Sequence, residues 1–138
     1  IARRAQAAAA RNPIEARALL VLAGGDRRAL TAAHVAEAYH AGDALAGRLV
    51  NQTGETLSAG VASIVNGLNP CLVVLGGGVI EGLPELVRQV EQGIRQRALA
   101  AAIAHLSIVK ATLGRHAGVV GAAALARRRF EGTKRLDG

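Results

Sequence analysis

The chain has no methionine, no tryptophan, one tyrosine, one phenylalanine and one cysteine among its 138 residues. Each scarcity removes a class of function. With Tyr39 and Phe130 as the only large aromatic rings, stacking of bases on an aromatic platform is not available. One cysteine supports neither a disulfide framework nor a zinc cluster, and Cys71, inside an apolar run, reads as a small core residue. No unbroken apolar stretch reaches the roughly 18 residues of a membrane-spanning helix, and no signal peptide opens the chain. A soluble, cytoplasmic protein with no membrane partner is therefore expected. Acidic residues are also in the minority, 10 against 17 basic, for a net charge of +7. All the basic residues except Lys110 and Lys134 are arginines, scattered from Arg3 to Arg135 and not gathered on one predicted face. Nucleic acid is thus not the expected partner of this segment. The lack of methionine and the helix-like opening Ile1-Ala2-Arg3-Arg4 predict a piece of a longer protein.

What is present is alanine, leucine, valine and glycine, enough apolar surface for one domain with a real core. Ile1 to Arg11 is alanine-rich and helix-forming. Asn12-Pro13 breaks it, and Pro13 suits the first turn of a short helix reaching Leu22. Thr31 is placed to cap a helix running to His40, and Gly42 stops it. Asp43 caps the longest helix, to Leu68, on which Leu45, Leu49, Leu57, Val61, Ile64, Val65 and Leu68 form one apolar stripe. Gly47, Gly54, Gly60 and Gly67 each weaken that helix, so another element is expected to pack very close to it. Pro84 and Glu85 open a further helix with Leu86, Val87, Val90 and Ile94 on its buried face, ending near Ala100. Leu106 to Ala111 reads as a strand, followed by a small-residue helix from Val119 to about Arg128 and a flexible tail over 129–138.

The most informative segment is Asn69-Pro70-Cys71-Leu72-Val73-Val74-Leu75-Gly76-Gly77-Gly78-Val79. Leu72 to Leu75 has the unbroken apolar pattern of a strand covered on both faces. Three glycines at its carboxyl end leave no Cβ above the backbone and permit positive φ. Ligands bind at the carboxyl ends of strands in open α/β sheets. The strand, the glycines and the helix expected a few residues later thus form either a nucleotide cradle or simply a tight connection. Strand, helix, strand predicts a parallel crossover, and two strands alone do not make a viable sheet.

The other polar candidates have plainer accounts. His34 and His40 share a predicted helix without the i,i+4 spacing of a shared metal site. His105 falls at a helix–strand connection, and His116 in a glycine turn reads as a surface loop residue. N-capping accounts for Asp43 without any chemistry.

Asn66-Gly67-Leu68-Asn69-Pro70, the run Val73 to Val79, and Leu113-Gly114 with Ala117-Gly118-Val119-Val120-Gly121-Ala122-Ala123 together resemble the C-terminal part of the ROK family of sugar kinases and sugar-responsive repressors. Gly42-Asp43 also fits, and the resemblance runs from about Ala8 to Arg128. It implies an α/β fold: the C-terminal part of the two-lobed actin-like, sugar-kinase (ribonuclease H-like) fold, here mostly helical with two parallel strands. It implies ATP with Mg as cofactors, a small sugar as substrate, and self-association. Gly76, Gly77, Gly78 and Val79 would face the adenosine end of ATP, and Gly114 to Gly121 would serve close packing at the lobe interface. The family's phosphate-binding turn, catalytic aspartate, Glu-x-Gly-His sugar motif and cysteine-rich zinc motif have no counterpart here. No catalytic residue and no metal ligand is therefore expected in residues 1–138. The reading is the nucleotide-binding-lobe segment of a glucokinase-like sugar kinase. The alternatives are the ligand-sensing segment of a ROK repressor and a helical scaffold without a ligand.

Overall fold

Helix α1 (Ala2–Arg11) places Ala5 and Ala9 one turn apart on its inner face, both buried. In the computed structural model, which describes residues 1–134 but not the side chains of Arg115 and residues 129–134, that face rests on the core of a helical layer. The break at Asn12-Pro13 is real, but the next helix starts later than expected, at Arg17: α2 (Arg17–Leu22) follows a turn in which Asn12 Oδ1 accepts from Glu15 N at 3.2 Å. A 3-10 turn (Arg27–Ala29) leads into α3 (Ala32–His40), whose capping box is reciprocal. Thr31 Oγ1 accepts from His34 N at 3.3 Å, and His34 Nδ1 accepts from Thr31 N at 3.4 Å. His34 is thus a capping residue. Gly42, with φ +84°, closes α3.

Helix α4 (Ala44–Leu68) begins where Asp43 Oδ1 accepts from Ala46 N at 2.8 Å. It ends at Asn69 in the left-handed conformation, φ 45°. Its buried face is Leu45, Ala46, Leu49, Val50, Gly54, Ser58, Ala62 and Val65, not the full predicted stripe. Ile64 and Leu68 are 53% and 76% exposed, and Leu57 also reaches solvent. The helix carries two apolar stripes, and only the one containing small residues is covered. Those small residues let α6 (Glu85–Arg97) approach. A Cβ added at Gly54 would stand 2.4 Å from Gln89 Cδ, and one at Gly93 of α6 would stand 2.3 Å from Ser58 Oγ. The close neighbour expected from four glycines is present at one of them; Gly47, Gly60 and Gly67 have open space above their Cα atoms. Buried Ser58 donates to Gly54 O at 2.7 Å, so its hydroxyl is satisfied.

After Pro70 come strand β1 (Leu72–Leu75), short helix α5 (Gly78–Gly82), α6, short helix α7 (Ala100–Ile103), strand β2 (Ser107–Lys110), a 3-10 turn (Gly114–His116) and α8 (Ala117–Lys134). The strands are parallel, in the register Leu72 with Ser107 through Leu75 with Lys110. Asn66 Oδ1 accepts from Leu99 N at 2.8 Å and ties the end of α4 to the start of α7.

The apolar interior divides in two. One cluster joins α1, α2, α3 and the first half of α4 to Ile80, Leu83 and Leu86. The other, Val65, Val90, Ile94, Ala102 and Leu106, receives Val73, Leu75 and Ile108 from one face of the sheet. The opposite face is open: Leu72 and Val74 are 50% and 56% exposed. The expected double cover of β1 is therefore corrected to a single one: Val73, Leu75 and Ile108 pack on the α4, α6 and α7 cluster, Leu75 also reaches the helical cluster, and Leu72 and Val74 on the reverse stay exposed. Cys71 is likewise exposed, not a core residue, since it precedes the first ladder pair. Helix α8 continues through the start of the expected tail to Lys134; residues 135–138 lie outside the described part. No helix among the described residues is long and apolar enough to cross a membrane.

Candidate functional site

The carboxyl ends of β1 and β2 lie side by side and each runs into a glycine turn. Gly76 comes first. A Cβ there would stand 2.8 Å from Ala111 Cβ, so Gly76 is required for the strand ends to meet, with Ala111 N donating to Leu75 O at 2.8 Å. Gly77 has φ +95°, where an L side chain is strained. At Gly77 and Gly78 an added Cβ would meet nothing within 4 Å. Two bare peptide units thus face open space at the strand's end. The helix expected at Pro84-Glu85 is α6, and a short helix the sequence did not signal, α5, begins before it at Gly78, where Glu81 N donates to Gly77 O at 3.0 Å. Val79 turns its side chain toward the helical core, leaving only its backbone at the turn.

The second turn completes one rim. Gly114 has φ +52°, and its Cα lies against α5: a Cβ there would stand 3.3 Å from Glu81 Oε1. The triplet and Leu113-Gly114, read separately in the sequence, are therefore neighbours. Glu81, between them, carried no local signal; its place depends on where β2 ends. His116 is exposed beside this turn, with its N donating to Leu113 O at 3.1 Å. The rim presents backbone groups and one carboxylate, which suits holding a flat or polar ligand.

The remaining sequence candidates lie elsewhere. His40 Nε2 is 3.4 Å from Glu85 Oε1 on the surface, and His105 is exposed. Asp43 is committed to its cap. A depression of about 690 Å³ between α2 and the end of α3 includes Ile14, Val21, Glu37 and Asp43, and no residue of the glycine turns lines it. Its other carboxylate, Glu15, pairs with Arg48. Among the described residues no three His, Cys, Asp or Glu side chains come together to hold a metal ion.

A profile of the ROK family matches residues 7–129. A glucokinase from Halalkalibacterium halodurans is 36% identical over 92 residues, 67% of this chain and 28% of its own length. The DNA-binding transcriptional dual regulator NagC of Escherichia coli K12 is 31% identical over 94 residues, 68% of this chain and 23% of its own. Among solved structures, a ROK family glucokinase from Streptomyces griseus, in complex with glucose and AMPPNP, superposes with a TM-score of 0.80 at 29% identity. That match covers 92% of this chain and 41% of the glucokinase. The chain thus spans less than half of each of these relatives.

Proposed function

The chain belongs to the ROK family, and from that premise we propose that it is the nucleotide-binding-lobe segment of an ATP-dependent, glucokinase-like sugar kinase. The observation that carries the proposal is the bare, open backbone at Gly77 and Gly78, at the carboxyl end of a parallel strand. A Cβ would project into the space a nucleotide would take, so the residues present fit the group. Gly76 to Val79 would hold the adenosine end through their backbone, with Gly114 as the facing wall. Bound ATP would supply the γ-phosphoryl group for transfer to a hexose hydroxyl. The part played by this chain is to position it, which is a large share of catalysis in phosphoryl transfer. No magnesium ligand is assigned to these residues.

The test is calorimetric titration of ATP and of glucose into the complete protein and its Gly77→Val variant, with folding checked by circular dichroism. A branched side chain at φ +95° adds roughly 1–3 kcal/mol of strain and fills the open space. ATP affinity should fall at least tenfold, about 1.4 kcal/mol, with glucose affinity nearly unchanged. Equal ATP affinity in the two proteins would reduce the triplet to a turn.

A second reading rests on the similarity to NagC, whose identity to this chain is close to that of the glucokinase. It makes the chain the ligand-sensing segment of a sugar-responsive repressor. Phosphorylation of a hexose by the complete protein favours the first reading; sugar-sensitive operator binding without phosphorylation favours the second. In either case we place the protein in the cytoplasm as a homo-oligomer. The open stripe of Ile64 and Leu68 and the open sheet face of Leu72 and Val74 support self-association. Sedimentation showing a monomer at high micromolar concentration would remove that part.

A further inference from the structure

Three arginines line a cavity of about 320 Å³ that shares no residue with the glycine turns. Arg3 comes from α1 and Arg27 and Arg28 from the first 3-10 turn, around Gln6, Ala7 and Ala10. Four arginines elsewhere are occupied: Arg4 donates to Thr56, Arg48 and Arg95 pair with Glu15 and Glu91, and Arg97 donates to Gly93 O, whereas Arg11, Arg17 and Arg88 line no part of this cavity. Among the described residues, the guanidinium groups of Arg3, Arg27 and Arg28 have no ion pair or hydrogen bond.

The backbone that carries Arg27 and Arg28 is fixed to α1 by neighbouring polar groups. Gln6 Nε2 donates to Arg28 O at 3.2 Å and to Leu30 O at 3.0 Å, fastening the turn to α1. The carboxylate on the turn, Asp26, accepts from Arg28 N at 2.8 Å and is committed to the backbone. The two alanines keep the floor low. Like charges repel across such a cavity, and the repulsion is relieved when an anion lies between them. Guanidinium forks match phosphate oxygens in geometry as well as charge.

We propose that the Arg3–Arg27–Arg28 cavity binds a small phosphate-bearing anion. A nucleic-acid backbone fits the site less well: the arginines gather at one pocket and do not follow a groove, and no aromatic ring lines it for base stacking. The proposal is independent of the nucleotide reading, since none of its residues belongs to that site.

The test is titration of inorganic pyrophosphate into the complete protein. Arg27→Gln/Arg28→Gln is compared with Arg17→Gln/Arg88→Gln, which removes the same charge from exposed positions outside the cavity. We expect saturable one-to-one binding, weakened at least tenfold by the first pair and less than twofold by the second. Gln6→Ala should weaken it without any change of charge. Tighter binding of a hexose phosphate than of pyrophosphate would assign the ester, and the reverse the free anion; either supports the site. Equal losses in both arginine pairs, or no saturable binding, would overturn it. A single-stranded oligonucleotide that binds more tightly with the same arginine dependence would also overturn it, in favour of a polymer.

Discussion

The two apolar clusters are made of the same residue types and are finished to different degrees. In the helical layer, Leu19, Leu30, Val35 and Leu86 are fully enclosed by helices on several sides. In the sheet, Val73 and Leu75 are covered from one side only, while Leu72 and Val74 on the reverse meet solvent. A buried leucine in the first region therefore works for the stability of this chain by itself. An equally apolar residue in the second contributes only when another surface arrives. Apolarity marks a surface that can be buried; the topology decides whether it is.

The largest test of this contrast is Leu86→Ala, which should cost about 2–5 kcal/mol in thermal or denaturant unfolding of the chain. Leu72→Ala should cost below about 1 kcal/mol in the same measurement. In the complete protein the Leu72→Ala cost should rise if the open face is covered there; two small, equal values would break the contrast on its sheet side. Next is Gly93→Ala, whose Cβ would collide with Ser58 Oγ. We expect a loss of about 1–3 kcal/mol, read as a lower midpoint in urea. Asp43→Ala removes the cap that starts α4 and should cost about 1 kcal/mol, with Asp43→Asn nearly neutral. The smallest and opposite effect is expected at Gly60, which has open space above it. Gly60→Ala should stabilise by about 0.5–1 kcal/mol, and a destabilisation there would mean a surface does pack on that side of α4.

The local signals in the sequence were reliable where the governing physics is local. Thr31 and Asp43 cap helices because a side-chain oxygen needs only the next turn as its partner. The four-residue apolar run and its glycines marked β1 and the turn beyond it. Burial was less legible, because periodicity finds every apolar stripe and cannot tell which one meets a neighbour. Hence Leu57, Ile64 and Leu68 were grouped with Leu45 and Leu49, though the structure turns them outward. Gly93 gave no signal at all, since its role depends on Ser58, a distant residue on another helix. Half of the candidate site was readable as a motif. The approach of Gly114 to Glu81, beside the triplet, required the two strand ends to lie together.

That register carries a consequence in time. Leu72 meets Ser107 only after α5, α6 and α7 have been laid down between them. The contacts of α1, α2 and α3 join segments nearby in sequence, whereas strand pairing must close a long loop before any ladder bond forms. Helices α1, α2 and α3 should therefore pack on one another before the two glycine turns come together. Stopped-flow experiments should find Val73→Ala acting mainly on the unfolding rate and Leu19→Ala mainly on the folding rate. The reverse pattern would put sheet pairing in the nucleus. On this ordering the candidate binding rim forms after the three N-terminal helices have packed together.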